Sequence, residues 1–168
     1  MTLGMSLETF TLVHVAISLI AIVSGLIVLF GMIGGRQLST LHGLFLITTL
    51  LTSVTGFGFP IHGVTPAIVL GILSLIVLAV AILARYARHL AGGWRRTYVI
   101  TASVALYFNC FVLIVQSFRQ VPALHALAPT QKEPPFAVAQ LVLLVLFIAL
   151  TITAVKKFRS ETAGAVAR

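Results

Sequence analysis

The chain has 168 residues, of which 60% are hydrophobic and 8% charged, and its mean hydropathy is +1.15. Soluble domains have about half apolar and about a quarter charged residues, so this composition excludes an ordinary soluble protein and indicates one that folds in lipid. The formal net charge of +8 does not indicate a nucleic-acid partner, because the cations stand between apolar runs and not on one aqueous face. The single cysteine, Cys110, lies inside an apolar run, which excludes an intrachain disulfide.

Five apolar runs are long enough to cross a hydrocarbon core of about 30 Å, which takes roughly 20 helical residues. They lack the alternation of barrel strands, so we expect helices. The first run is too long for a signal peptide and has no Lys or Arg before it, which favours a retained span. The predicted spans are residues 10–33, 41–59, 66–84, 98–118 and 136–155.

The sequence thus predicts an all-α integral membrane protein, a single five-helix bundle domain over residues 1–159 with a flexible cytoplasmic tail at 160–168. Lys and Arg are retained on the cytoplasmic side of a membrane, so their distribution predicts the orientation. The side that holds Arg119 and Lys132 is predicted to be outside. The other nine cations are Arg36, Arg85, Arg88, Arg95, Arg96, Lys156, Lys157, Arg159 and Arg168.

This charge distribution predicts that the N-terminus lies outside and the C-terminus in the cytoplasm. The compact architecture without an additional domain favours the inner membrane of a bacterium. Trp94, Tyr86 and Tyr98 lie beside the cytoplasmic cations, so we expect them to be interfacial anchors. The same cations predict contact with anionic lipids at the cytoplasmic face of the bilayer.

Small residues in the spans predict close helix packing. Gly31 and Gly35 form a GxxxG pair, and Ala67 and Gly71 form a small-xxx-small pair, both of which allow two helices to approach closely. The short connections after the first and second spans predict that the first three spans are antiparallel neighbours.

The longest polar interruption, residues 119–135, is predicted to form an outer loop. Pro122 can begin a short interfacial helix that reaches Ala128, because the missing N–H of proline is tolerated in the first helical turn. The last span is predicted to begin at Pro134 for the same reason.

Several polar side chains lie near the midpoints of the predicted spans. Asn109 is the costliest of them in hydrocarbon, because an amide there needs hydrogen-bond partners, and hydroxyl groups at matching depth can supply them. Interhelical hydrogen bonding is one interpretation of this layer, and a polar conduit or ligand pocket is the alternative. The predicted layer contains Thr49, Thr52, Ser74 and Asn109, with Ser24 about one turn inward.

Three of the five histidines, His14, His62 and His125, are predicted to lie toward the outer face. Gln116 and Gln140 reach a similar depth, so these five side chains are candidates to line an outer vestibule. Neutral imidazole is a ligand for zinc, copper and nickel, which makes the three histidines a candidate metal site.

Haem ligation by two histidines needs both at one depth on facing helices. His14 and His42 are the two histidines inside spans, and they lie near opposite ends, about 23 Å apart in depth at roughly 1.5 Å per residue. This separation excludes a haem shared between them. A single haem on His14 with a loop histidine stays open.

The sequence contains few candidate catalytic groups. The chain has no Asp and no Glu inside a span, no nucleophile beside a base and no phosphate-binding glycine loop, so an enzyme is disfavoured and no cofactor is predicted. The sequence predicts a structural or accessory component, a partner of another membrane protein or of a second copy. The alternatives are a translocator of a small solute, metal ion or proton, and a single-haem or metal-binding redox protein.

Overall fold

The computed structural model describes residues 4, 6–36, 38–60 and 66–158, which form helices and turns with no strand. A π-helical turn, Leu83–Ala87, continues the third helix. The helices are α1 (Leu7–Ile33), α2 (Ser39–Gly56), α3 (Pro66–Ile82), α4 (Trp94–Gln120), α5 (Pro122–Leu127) and α6 (Pro134–Lys157). His62 and the predicted tail at 160–168 lie outside the described residues.

Four helices are long and apolar enough to cross a membrane: α1, α3 with its π-helical turn, α4 and α6. These four helices and the all-helical fold of the described residues confirm the prediction of an all-helical, multi-pass membrane protein. α2 is not among the four, because seven Ser and Thr residues and His42 interrupt the apolar side chains of its 18 residues. The count of five spans and their orientation therefore stay predictions.

Contacts at both ends of α1 and α2 show that these helices are antiparallel. Near the end of α1, a Cβ atom on Gly31 would lie 2.6 Å from the side chain of Leu38, which precedes α2. Near the start of α1, the rings of Phe10 and Phe59 lie 5.0 Å apart. The chain from Leu38 to Phe59 thus follows α1 along most of its length.

The other long helices alternate in direction in the same way. Phe57, just after α2, packs on Gly71 near the start of α3, while the hydroxyl of Tyr86 lies against Gly43 near the start of α2. α6 is antiparallel to α4, since the rings of Phe118 and Phe136 lie 5.4 Å apart. One end of the bundle therefore holds α5 and the starts of α1 and α6, and we call it the loop end. The opposite end holds the π-helical turn and the start of α4, and we call it the basic end.

α4 is the most buried of the four apolar helices and α6 the least. Of its most apolar 18 residues, α4 buries 39% and α6 buries 11%. Buried side chains recur on α4 every three or four residues, at Tyr98, Ala102, Ala105 and Asn109, which is the spacing of one helix face. The core of the bundle thus surrounds α4, while α6 lies at its edge.

The predicted glycine contacts are confirmed in part. Gly31 and Gly71 are both sites of close approach, whereas Ala67 is exposed. Gly35 has a φ of +69° and open space around it. The N–H groups of Gly35 and Arg36 bond back to carbonyls in the last turn of α1, at 3.2 and 2.8 Å. Gly35 therefore ends the helix in a Schellman motif, and the prediction that it packs against a second helix is wrong.

The loop between α4 and α6 contains the two elements that its prolines predict. α5 begins at Pro122 and ends at Leu127, one residue before the predicted end, and the following Ala128 is fully buried. α6 begins at Pro134 as predicted. The interfacial position of α5 and its outer location stay predictions.

Glu133 organises the turn that leads into α6. Its carboxylate accepts hydrogen bonds from the hydroxyl of Thr130 at 2.8 Å and from the N–H groups of Thr130 and Lys132 at 3.2 and 3.0 Å. Desolvation raises the pKa of Glu133, but the hydrogen bonds to the charged form together outweigh it and hold the pKa below its ordinary value. The turn is thus closed by a local carboxylate in place of a helix cap.

Candidate functional site

The polar side chains of α2 connect it to three other helices. Its inward face carries His42, Thr49 and Ser53, all buried, among apolar residues such as Phe45. Four hydrogen bonds join side chains of α2 to α1, α3 and α4. They are Thr55–His14 (2.7 Å), Ser53–Ser74 (3.0 Å), Thr49–Asn109 (3.3 Å) and His42–Tyr98.

Two of these bonds involve the predicted midplane layer. The amide of Asn109 donates to the hydroxyl of Thr49, which is the kind of partner expected for an amide at this depth. Ser74 bonds to the hydroxyl of Ser53. The hydroxyl of Thr52 is buried without a partner among the described residues. Whether this layer forms part of a conduit stays a prediction.

Other hydroxyl groups bond within their own helix. Ser24 donates to the carbonyl of Ile20 at 2.6 Å, and Thr48 donates to that of Leu44 at 2.7 Å. Such bonds satisfy a hydroxyl locally in an apolar environment. Ser24 therefore contributes no hydrogen bond to the interhelical layer.

His14, the deepest of the predicted outer histidines, faces α2. The hydroxyl of Thr55 donates to a carbonyl in its own helix, so its oxygen accepts from Nδ1 of His14 at 2.7 Å. The edge of the imidazole contacts the ring of Phe59, with centroids 5.1 Å apart. His14 is thus held between α1 and α2 by a hydrogen bond and an aromatic contact.

The other predicted vestibule residues lie apart from this contact. Gln140 donates to the carbonyl of Phe111 at 3.3 Å, while Gln116 and His125 are exposed. In the part of the chain that the structure describes, no three metal-ligating side chains come together. The proposed metal site includes His62, which lies outside that part, so it stays a prediction.

The sequence did not predict a polar cluster at the basic end. His42 and Tyr98 are both fully buried, and Nδ1 of His42 is hydrogen-bonded to the phenol. The guanidinium carbon of Arg85 lies 5.4 Å from the centre of the Tyr98 ring, and the ring of Phe158 lies 6.1 Å from that of His42. We call these four residues the basic-end cluster. It joins the start of α2, the start of α4, the π-helical turn and the end of α6.

Helix periodicity brings these side chains together. On α3, the buried residues Ser74, Leu78 and Ala81 occur every three or four residues, and Arg85 continues this face into the π-helical turn. On α4, Tyr98 begins the buried face. The prediction that Tyr98 is an interfacial anchor is therefore wrong, because its hydroxyl finds a partner in the bundle.

The other two predicted anchors have the exposure expected of interfacial residues. Tyr86 is 52% exposed, and Trp94 is half-buried with the guanidinium of Arg88 5.1 Å from its ring centre. A cation over an indole face is an attractive arrangement that keeps both groups near the helix ends.

Two nitrogen atoms of the basic-end cluster are buried without partners among the described residues. They are Nε2 of His42 and Nη1 of Arg85. Arg95, on the next helix, is bonded by contrast to the carbonyls of Val155 (3.0 Å) and Phe158 at the end of α6. The cluster thus combines a cation, an imidazole and a phenol with unused hydrogen-bonding capacity.

No protein-family model matches the chain, and neither a curated protein nor a solved structure is significantly similar to it. The geometry of the buried polar side chains is therefore the basis of the functional proposal.

Proposed function

We propose that this protein is a five-span protein of a bacterial inner membrane that serves as a structural or accessory partner of another membrane protein. The observation that carries the proposal is the pairing of the polar side chains of α2 with neighbouring helices. Thr49, Ser53 and Asn109 are at most 9% exposed, and each is bonded to a side chain of another helix. Polar groups that line a transport path face water, whereas these groups join helices.

The packing beside this polar layer supports the same proposal. A pocket inside the bundle lies between α1, α2 and α4, next to Gly25, Phe45 and Leu106. It is too small to admit a water molecule. The lack of a water-sized space at this place favours a structural role over a transport path.

The length of the contact between α1 and α2 supports five spans. The chain from Leu38 to Phe59 follows α1 from Gly31 back to Phe10. That stretch of α1 is about 32 Å long at roughly 1.5 Å per residue, which is close to the hydrocarbon thickness of about 30 Å. A neighbour that lies along a membrane span for this distance crosses the same layer.

The charges at the two ends support a cytoplasmic basic end. Among the described residues, the loop end has Arg119 and Lys132, while the basic end has seven cations. This bias matches the positive-inside rule. The basic-end cations are Arg36, Arg85, Arg88, Arg95, Arg96, Lys156 and Lys157.

Cysteine labelling tests this topology. In a Cys110→Ala background, we expect an impermeant thiol reagent to label Leu7→Cys in intact cells and to label Ala91→Cys only after the cells are broken. Both positions are exposed and lie at opposite ends of the bundle. A reporter fused after Arg168 should be cytoplasmic. If α2 did not cross the membrane, the four remaining spans would place Leu7 and the fused reporter on the same side.

The accessory role is tested by comparing the native and the isolated protein. We expect the protein extracted from its own membranes in mild detergent to migrate in a larger particle than the chain purified alone. Purified protein in liposomes should then carry out no specific transport. A specific flux that Asn109→Leu abolishes would contradict the proposal in favour of a translocator, provided that the exposed Val112→Leu on the same helix leaves this flux intact. Equal particle sizes would also count against a partner.

A further inference from the structure

We propose that the basic-end cluster is a binding site for a phosphate group, with Arg85 as its contact. The proposal rests on the membrane-spanning arrangement proposed above, because that arrangement places this end of the bundle among lipid headgroups. It goes beyond a general attraction to anionic lipid, since it assigns one binding site to one group of residues.

Hydrogen bonding in the cluster leaves two donors free. The guanidinium of Arg85 lies over the Tyr98 ring, with its carbon 5.4 Å from the ring centre. We assign the proton of the bond between Tyr98 and His42 to the phenol, which places the imidazole proton on Nε2 of His42. Nε2 of His42 and Nη1 of Arg85 are therefore both N–H donors, and both are buried without acceptors among the described residues. Proteins leave few buried donors unpaired, so a further acceptor is expected at Arg85, the more exposed of the two residues.

The charge of the cluster favours an anion as this acceptor. Arg85 is a cation beside Tyr98, and neither Tyr98 nor its partner His42 carries a negative charge in its ordinary form. Among the described residues the only carboxylates are Glu8 and Glu133, which lie at the loop end, while Glu161 lies outside the described residues. A partly buried guanidinium without an anionic partner is costly, so binding an anion relieves that cost.

Phosphate is the anion that fits this position and this chemistry. The planar guanidinium presents parallel N–H groups that match the oxygens of a phosphate. At the level of the headgroups, every phospholipid supplies such a group, and free phosphate supplies it from the aqueous side. The cluster is accessible at Arg85, which is partly exposed beside the exposed Tyr86, whereas His42 is fully buried.

The test uses lipid-free protein in dodecyl maltoside and three probes: inorganic phosphate, phosphatidylglycerol, and diacylglycerol with the same acyl chains. Native mass spectrometry measures the stoichiometry, and the thermal midpoint measures the affinity of binding. The variants are Arg85→Gln and the matched control Arg96→Gln, an exposed cation at the same end. If Arg85→Gln fails to fold, Arg85→Lys replaces it, because lysine keeps the positive charge and lacks the paired N–H donors of the guanidinium. Protection of the buried Cys110 thiol confirms that each variant is folded.

We expect phosphatidylglycerol to bind at one molecule per chain and diacylglycerol not to bind at that site. Arg85→Gln should weaken binding by about tenfold or more, since it removes a hydrogen bond between charged groups, and Arg96→Gln should leave it nearly unchanged. Binding of inorganic phosphate with the same dependence on Arg85 would support a site for free phosphate. The proposal is overturned if diacylglycerol binds equally well, if the two variants behave alike or if no probe binds. Because binding is measured in detergent, its outcome is independent of the topology test.

Discussion

Replacing Tyr98 by alanine is expected to destabilise the bundle by about 3–5 kcal/mol, the range found when a large buried aromatic side chain is removed. Tyr98 is fully buried at the start of α4, where α2 and the π-helical turn meet it. Tyr98→Phe keeps the ring and removes the hydroxyl, so Nδ1 of His42 loses its partner. We expect a smaller loss of about 1–3 kcal/mol, the cost of leaving one buried polar atom unsatisfied.

The single cysteine provides the measurement. Cys110 is 8% exposed on the same helix, so its labelling by a thiol reagent during a titration with SDS reports the unfolding of α4. Tyr107→Phe is the matched control, since the ring of Tyr107 packs on Phe147 at 5.7 Å and its hydroxyl has no hydrogen bond to the described residues. This control should change stability by less than about 0.5 kcal/mol.

A double-mutant cycle separates the hydrogen bond from ring packing. His42→Leu alone leaves the phenol of Tyr98 without its acceptor, whereas His42→Leu together with Tyr98→Phe removes both partners. The double variant should therefore lose less free energy of unfolding than the sum of the two single variants, by about 0.5–3 kcal/mol. Strict additivity would show that the imidazole and the phenol do not stabilise one another.

The apolar runs predicted the helices well because the length of a span and the chemistry of proline are local properties. Pro122 and Pro134 begin α5 and α6 as expected, since proline is tolerated in the first turn and nowhere later. The ends of the other helices were predicted less accurately. α1 begins at Leu7 and α4 at Trp94, outside the predicted spans, because helical hydrogen bonding continues past the point at which side chains become polar.

The basic-end cluster could not be predicted from the residues in isolation. Tyrosine near the end of a span is usually an interfacial anchor, and its typical environment favoured that interpretation of Tyr98. The sequence does indicate a similar depth for the two residues, because His42 and Tyr98 each lie within about one turn of the start of a predicted span, on the same side of the bundle. Their contact still depends on the rotation of two helices that are apolar nearly all round, and such helices do not reveal their inward faces. Asn109 and Thr49 were easier to pair, because few polar partners exist at the midplane.

Gly25→Leu is expected to prevent α1, α2 and α4 from packing together. The sequence alone does not show which glycines lie on the inward faces of the helices. The GxxxG pair predicted packing at Gly35, which ends a helix, whereas Gly25 belongs to no GxxxG pair and only shares the small-xxx-small spacing with Ala21. A Cβ atom on Gly25 would lie 2.6 Å from Leu106 and 2.8 Å from Phe45, both of which are 1% exposed. The pocket beside them admits no water, so it has no room for a leucine side chain.

Overpacking of this kind costs about 1–3 kcal/mol where neighbours can move, and more where they cannot. Since Phe45 and Leu106 are enclosed by three helices, we expect Gly25→Leu to lose at least that much free energy of unfolding and to expose Cys110 to thiol reagent without SDS. Gly25→Ala should have an intermediate effect. Gly93→Leu is the matched control, because a Cβ atom there meets nothing within 4 Å and its φ of −65° suits any side chain. Equal stability of Gly25→Leu and Gly93→Leu would mean that α1 does not approach α2 and α4 at Gly25, and the three-helix contact on which the packed bundle depends would have to be abandoned.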